Sequence, residues 1–294
     1  MSATEARNGR AATAILLAHG PLREGVAAAL TGFVYRNKGH IVYHDQYVDR
    51  EKQRYFARLE WSLAGFAVPR REIGERLAAS VAEPLGVQWR LHFSDEVLRM
   101  AVFASTLPYC LYDILARRLS GEWKVEVPLI VSNHLELEPV AKRFGVAFHC
   151  LPITPANKET QERKELALLR EHGIELIVLA RYMQILSGDF IAAYPGAIIN
   201  IHHAFLPSFP GPRPYHAAYQ RGVKIIGATS HYVTEHLDAG PIIEQDVIRV
   251  SHLHTVDDLA RMGRDLEKTV LARAVWHHIQ RKILVYSGRT VIFA

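Results

Sequence analysis

Four short apolar runs, separated by segments with helical periodicity, constrain the fold of the chain beyond residue 95. The runs lie at residues 100–105, 125–132, 147–153 and 176–180. None of them has a polar face, which is typical of parallel strands that are buried on both sides of a sheet. Because such strands alternate here with helices, we predict a doubly wound, Rossmann-like α/β domain over residues 95–294.

The end of the chain adds further strands and one long helix to this domain. Strands are predicted at residues 197–201, 225–233 and 241–250. The helix that follows begins with Thr255 and Asp258 at the spacing of a capping box. A closing hairpin is predicted around Ser287 and Gly288.

Residues 13–94 have a different pattern, which predicts the order βαββαβ. The strands are expected at 13–18, 40–49, 54–63 and 86–93, and the helices around 26–34 and 71–81. Small sheets with two helices on one face bind amino acids, regulate a neighbouring domain or dimerise. Residues 1–12 are polar and lack the apolar core of a signal peptide, so we predict a disordered start.

Composition limits the class of partner and the compartment. The formal net charge is +5 without any block of Lys and Arg, which favours small anionic molecules over nucleic acid. The two cysteines, Cys110 and Cys150, form neither a disulfide framework nor a metal motif, which fits a reducing cytoplasm. No apolar run approaches the roughly 18 residues that a membrane helix needs.

The strand at 197–201 leads into two polar side chains, Asn200 and His202. Residues two apart project from the same face of a strand. Open α/β sheets place their active sites where strands end at loops, and a Pro- and Gly-rich loop begins here at Pro207. An amide beside an imidazole can hold and polarise a carbonyl oxygen.

Two further segments are expected at the same edge of the sheet. Asp238 lies in a short loop after the strand 225–233, and residues 180–187 follow the strand 176–180. The sequence therefore predicts that Asn200, His202, Asp238 and the segment 180–187 converge.

The 16 histidines raise the question of a metal site at His202, His203 and Asp238. Adjacent histidines on a strand point to opposite faces, and neither HExxH nor Cys-rich spacing is present, so no metal is expected. We interpret His203 as a structural or supporting residue. For His231, on the strand before Asp238, a supporting role in the site and simple packing are equally open.

At these residues the sequence resembles the folate-dependent formyltransferase superfamily. Its signature is Asn-x-His, then Leu-Pro, then Asp in Leu-Asp-x-Gly-Pro, matched here by residues 200–202, 206–207 and 237–241. Within the superfamily the chain is most similar to the formyltetrahydrofolate deformylases. That similarity is nearly residue for residue over VSNH (131–134), ARYMQILS (180–187), NIHHAFLPSF (200–209) and PYHAAYQRGVKIIGATSHYVTEHLDAGPIIEQD (214–246). The resemblance covers the whole chain and is weak over residues 1–90.

This resemblance implies an architecture and a reaction. The architecture is an ACT domain of ferredoxin-like fold over 13–94, followed by a formyltransferase-type catalytic domain over 95–294. The reaction is hydrolysis of 10-formyltetrahydrofolate to tetrahydrofolate and formate, which balances one-carbon pools and supplies formate for purine synthesis, without a metal or prosthetic group. ACT domains usually pair edge to edge, so a homo-oligomer, dimer or tetramer, is expected, with no nucleic-acid or membrane partner.

The resemblance also implies roles for the site residues. Asn200 and protonated His202 would donate hydrogen bonds to the formyl oxygen, where negative charge builds as water attacks. Asp238 would orient and deprotonate the water and would favour the protonated form of His202. The implied folate-binding set is Arg181, Met183, Gln184, Ile185, Leu186 and His231. Its apolar members would line a slot for the pterin ring, and Arg181 would meet the benzoyl-glutamate end.

Three positions near the expected site depart from the family pattern. The family usually has Ser-Lys-x-x-His-Cys-Leu where residues 105–111 read STLPYCL, so Thr106 and Tyr109 replace a Lys and a His. Pro210 stands where the family often has Lys. The loss of these cations leaves open a formyltransferase that uses an amine acceptor, or a shifted formyl substrate.

The first turn of the predicted ACT domain also departs from its usual Asp-Arg-Pro-Gly-Leu. Leu22 and Glu24 replace the Asp and the Pro. Because that turn commonly contacts an amino-acid effector, both effector control and a purely dimerising role stay open.

Overall fold

The computed structural model describes residues 11–208 and 214–293, which group into two compact units. The first unit runs to Glu96 and includes Arg281–Leu284 and residues 291–293. The second consists of Val97–Gln280 and Val285–Thr290. From the sequence, all of residues 95–294 were assigned to the second domain, whereas Arg281–Leu284 and residues 291–293 group with the first unit. Ten residues of the predicted disordered start, and Pro210, lie outside the described residues.

The first unit contains a four-stranded antiparallel sheet of order β2-β3-β1-β4. Its elements in chain order are β1 (Thr13–Pro21), α1 (Val26–Arg36), β2 (His40–Asp49), β3 (Arg54–Ser62), α2 (Ile73–Leu77), α3 (Glu83–Leu85) and β4 (Gln88–Phe93). This layout agrees with the predicted βαββαβ order. Helix α1 buries the apolar face seen in the sequence, formed by Val26, Leu30, Phe33 and Val34.

The second helical segment of this unit is broken into short pieces rather than forming one helix at 71–81. A 3₁₀ turn at Arg70–Glu72 precedes α2, and a π turn at Ala78–Ala82 separates α2 from α3. Pro84 supplies a physical reason. It has no N–H to donate to the carbonyl four residues earlier, and its ring crowds that carbonyl, so the preceding turn widens.

The second unit alternates strands and helices, as predicted. Its elements are β5 (Leu98–Ala104), α4 (Tyr109–Ser120), β6 (Val125–Glu126), β7 (Leu129–Ser132), α5 (Glu138–Phe144), β8 (Ala147–Cys150), α6 (Lys158–Glu171), β9 (Leu176–Leu179), α7 (Gly188–Ala193), β10 (Ile198–His202), α8 (Pro214–Arg221), β11 (Ile225–Tyr232), β12 (Ile242–Arg249) and α9 (Val256–Ile279). The paired strands β13 (Ile283–Tyr286) and β14 (Arg289–Ile292) form the predicted closing hairpin. Thr255 and Asp258 form the predicted capping box of α9.

The sheet of the second unit has the order β12-β11-β10-β9-β5-β7-β8, with β6 beside β5. Strands β10, β9, β5, β7 and β8 are parallel, whereas β11 and β12 continue the sheet in antiparallel fashion. The predicted strand 125–132 is split into β6 and β7. Pro128 lies at the break, where it cannot donate a ladder hydrogen bond.

The parallel neighbours β5, β9 and β10 bring three chain segments to one edge of the sheet. At that edge β10 ends in His202, and Ser105 and Arg181 follow β5 and β9. Ser105 accepts a hydrogen bond through its Oγ from the Met183 backbone N–H at 2.9 Å, which ties the segment after β9 to the end of β5. No helix within the described ranges is long and apolar enough to cross a membrane.

Candidate active site

Asn200, His202 and Asp238 lie together, as the sequence predicted. The first two are on β10, and Asp238 follows β11, which pairs with β10. The backbone at Asp238 is left-handed, with φ of 54°, and this tight turn carries the carboxylate back toward β10. The Asp238 Oδ2 atom lies 3.3 Å from His202 Nδ1.

Gly240 allows this turn to approach the sheet. A Cβ atom at this position would lie 1.7 Å from the backbone oxygen of Tyr232. Any side chain there would push the loop away from β11, and Asp238 would move with it.

His231 connects Asn200 with Asp238. Its Nδ1 lies 2.9 Å from the carbonyl oxygen of Tyr232, which can only accept, so we assign the proton of the neutral ring to Nδ1. Its Nε2 then accepts from Asn200 Nδ2 at 3.3 Å and lies 3.6 Å from Asp238 Oδ1. These contacts orient the Asn200 amide and leave its second N–H for another acceptor.

The carboxylate of Asp238 is held in its ionised form. The hydrogen bond from His202 is the largest cause that lowers its pKa below the ordinary value. An ionised carboxylate beside an imidazole stabilises the imidazolium form.

His202 presents one ring nitrogen to a ligand. Its side chain is buried, and its Nε2 has no hydrogen-bond partner among residues 11–208 and 214–293. Buried polar atoms are rarely left in this state, because an unmade hydrogen bond is costly. The Nε2 atom is therefore a position where a ligand oxygen completes the site.

The segment after β9 carries most of the predicted folate-binding set. Met183 and Ile185 are 57% and 61% exposed, Gln184 is half-buried and Leu186 is buried. Two large apolar side chains on the surface beside a polar site are suited to an apolar ligand group.

Arg181, in contrast, is mostly buried among protein groups. Its Nη1 lies 2.7 Å from His203 Nδ1, and its Nε lies 3.4 Å from Glu267 Oε2. The hydrogen bond to His203 and the ion pair with Glu267 engage the guanidinium group with protein groups. Its expected contact with the benzoyl-glutamate end of the substrate stays a prediction.

His203 does not point away from His202. The expectation of opposite faces was wrong, because β10 ends at His202 and His203 already lies beyond the strand. The two rings stack with centroids 5.0 Å apart and planes at 24°. Within the described part of the chain, no group of three or more His, Cys, Asp and Glu side chains could hold a metal ion.

The buried Glu267 and the half-buried Tyr109 and Tyr215 form a cluster next to this site that the sequence reasoning did not identify. The two tyrosine hydroxyls donate to the Glu267 carboxylate at 2.6 and 2.7 Å. Tyr109 is one of the positions that depart from the family pattern. Helical spacing could have predicted that Glu267 is buried, since it lies one turn from the buried residues Gly263 and Leu271 on α9.

Comparison with known proteins gives a consistent result. The sequence profile of the formyl transferase family matches residues 98–275. A formyltetrahydrofolate deformylase from Synechocystis is 53% identical over 96% of this chain and 99% of its own length. One from Bacillus subtilis is 40% identical over 98% of this chain and 96% of its own. A crystal structure of a formyltetrahydrofolate deformylase from Pseudomonas syringae covers 98% of this chain and 96% of its own, with a TM-score of 0.95 and 38% identity.

The mixed α/β sheet of the second unit is thus that of the formyl transferases. The chain belongs to this family, and the matches over nearly its full length place it among the formyltetrahydrofolate deformylases.

Proposed function

We propose that Asn200, His202 and Asp238 carry out the hydrolysis of 10-formyltetrahydrofolate to tetrahydrofolate and formate. The observation that carries this assignment is the buried, unpartnered Nε2 of His202, whose other ring nitrogen faces an ionised Asp238. This arrangement favours a protonated His202 that donates to an oxygen as it gains negative charge.

The reaction places charge where these donors point. Water attacks the formyl carbon and passes one proton through Asp238, which returns it to His202 after His202 has protonated the leaving nitrogen. The formyl oxygen becomes an oxyanion in the tetrahedral intermediate. His202 Nε2–H and the second amide N–H of Asn200 stabilise that oxyanion, and one preorganised donor of this kind contributes about 2.7–4 kcal/mol. When the C–N bond breaks, the leaving nitrogen takes a proton, which an imidazolium at His202 can supply.

Asp238 has two contributions in this scheme. Its negative charge supports the imidazolium of His202, and its oxygens can orient the attacking water. Because its pKa is lowered, the carboxylate is a weak base, so we assign orientation of the water as its larger contribution.

The folate substrate is proposed to lie along the segment after β9. Met183 and Ile185 offer exposed apolar surface for the pterin ring beside the buried Leu186. Gln184 lies between them and is assigned to polar contacts with the substrate. His231 is assigned to holding Asn200 in place, through its hydrogen bond at 3.3 Å.

Replacement of His202 by Gln tests the assignment. The Gln amide can still donate a hydrogen bond but carries no charge, so we expect kcat to fall at least about 10²-fold, the loss typical of one oxyanion donor. His236→Gln is the matched control, because His236 is an exposed histidine only two residues from Asp238. Equal kcat values for the two variants would contradict the role of His202.

The first unit is proposed to be an ACT domain that joins copies of this chain into a cytoplasmic homo-oligomer. Its strand β2 is the edge of the sheet and exposes Val42 and Tyr47 at 50% each, and unpaired edge strands readily accept another strand. Light scattering at micromolar concentration tests the oligomer, and a monomer would contradict it. Calorimetric titration with amino acids tests whether the altered turn at Leu22 and Glu24 still binds an effector.

A further inference from the structure

A buried carboxylate on α9, Glu267, organises a second layer of residues behind the site. It is 1% exposed and lies 3.4 Å from the guanidinium Nε of Arg181. Tyr109 from α4 and Tyr215 from α8 donate their hydroxyl hydrogens to its two oxygens. The carboxylate, held by these two donors, forms an ion pair with Arg181, whose Nε makes no hydrogen bond to any described residue.

Space for this cluster is built into α9. A Cβ atom on Gly263 would lie 2.0 Å from the Tyr215 hydroxyl oxygen. Gly263 precedes Glu267 by one helical turn, so the absence of a side chain lets Tyr215 reach the carboxylate.

Arg181 in turn fixes the state of His203. Arginine stays protonated in proteins and can only donate, so the His203 Nδ1 that its Nη1 approaches at 2.7 Å must be an acceptor. His203 is therefore neutral, with its single ring proton on Nε2. Burial is the largest cause that lowers its pKa, to about 3, and the charge of Arg181 is the next.

A neutral His203 matters because its ring stacks on His202. Two imidazolium rings with centroids 5.0 Å apart would repel each other. With His203 held neutral, the stacked pair carries at most one positive charge, and that charge lies on the ring that faces Asp238.

We propose that Arg181, paired with Glu267, is a positioning residue for the hydrolysis, which keeps His203 neutral so that the positive charge of the stacked pair lies on His202. This inference rests on the role of His202 proposed above. The titratable and charged groups that face the pair from the surrounding elements are Asp238, His231, Arg181, Glu267, Tyr109 and Tyr215.

The state of His203 can be measured without any assay of activity. ¹⁵N-histidine labelling, with His203→Asn used for assignment, reports the tautomer and the titration of each ring. In the wild type we expect His203 as the Nε2–H tautomer without titration between pH 5 and 8. In Arg181→Gln we expect the pKa of His203 to rise, because one neighbouring positive charge is removed, while burial still holds it below the ordinary value. Titration between pH 5 and 8 in the wild type, or an Nδ1–H tautomer, would overturn the proposal.

Kinetics then test the consequence for His202. If the pKa of His203 rises in Arg181→Gln, a larger fraction of its ring is charged at low pH, so the loss of kcat relative to the wild type should grow as the pH falls from 8 to 5.5. The double variant Arg181→Gln/His203→Asn removes the ring that would be charged, so we expect it to lose this dependence on pH. If Arg181 has a purely structural role, the double variant keeps the loss of kcat at low pH. That result would contradict the proposal.

Tyr109→Phe provides a milder perturbation in case Arg181→Gln does not fold. It removes one of the two hydroxyl donors to Glu267 while keeping the aromatic ring. We expect a smaller change of the same sign in the pH profile, and an unchanged profile would argue against the network. A wild type that lacks hydrolysis altogether would refute the proposed function, while the tautomer measurement would still decide the state of His203.

Discussion

Glu165→Gln should stabilise the protein at alkaline pH and leave its stability at acidic pH nearly unchanged. Glu165 lies on α6, is fully buried, and accepts a hydrogen bond from the Tyr182 hydroxyl at 3.0 Å. Its second oxygen has no hydrogen-bond partner among the described residues. Burial is the largest cause that raises its pKa from 4.5 to about 7.

The sign of the effect follows from proton binding. Between pH 4.5 and about 7 the folded protein holds a proton on Glu165 that the unfolded chain has released. Stability from this group is therefore complete below pH 4.5 and is lost as the pH rises through about 7. A shift of this size corresponds to about 3 kcal/mol at about 1.4 kcal/mol per pH unit. Glutamine resembles the protonated acid and keeps the acceptor for Tyr182, so the variant avoids this loss.

Urea unfolding of the wild type and the variant at pH 5 and pH 8 measures the difference. We expect a gain of about 2–3 kcal/mol in the free energy of unfolding at pH 8 and little change at pH 5. Glu159→Gln is the matched control, because Glu159 is an exposed residue of the same helix whose ion pair with Arg163 contributes little. A gain for Glu165→Gln that is equal at both pH values, or a loss at pH 8, would refute the reasoning.

Two further substitutions test packing and capping. Gly263→Ala places a Cβ atom in the space of the Tyr215 hydroxyl. We therefore expect a destabilisation of about 1–3 kcal/mol in urea unfolding, together with a lower kcat. Unchanged stability and kcat would contradict the packing of Tyr215 against Gly263. Thr255→Ala removes the side-chain cap of α9, which accepts from the Asp258 backbone N–H at 3.2 Å, and should cost about 1 kcal/mol in thermal unfolding with kcat unaffected. A loss of activity in Thr255→Ala would contradict this prediction and would show that the first turn of α9, as well as Glu267, affects the site.

Local patterns predicted much of the fold because they depend on single segments. Buried parallel strands leave uninterrupted apolar runs, and capping boxes and closing hairpins have fixed spacings. Where the prediction failed, a proline decided the outcome. Pro84 breaks the second helix of the first unit, and Pro128 divides the predicted strand 125–132.

The site was predictable to the extent that it lies at strand ends. Asn200, His202 and Asp238 converge because β10 and β11 are neighbours and a tight turn follows β11. The partners of Arg181 depend instead on how α9 packs beside the strands, which no local pattern encodes. Sequence reasoning therefore expected this guanidinium to meet the substrate, while the structure places it against His203.

The most direct test of the account is hydrolysis in the absence of any acceptor. Formate and tetrahydrofolate are followed together from 10-formyltetrahydrofolate, for the wild type and Asp238→Asn. We expect one formate per tetrahydrofolate from the wild type, and a rate about 10²–10⁴-fold lower in the variant, which keeps the shape of Asp238 but not its charge. No formate from wild-type protein that still binds the folate would contradict the account, and would direct attention to transfer to an amine acceptor.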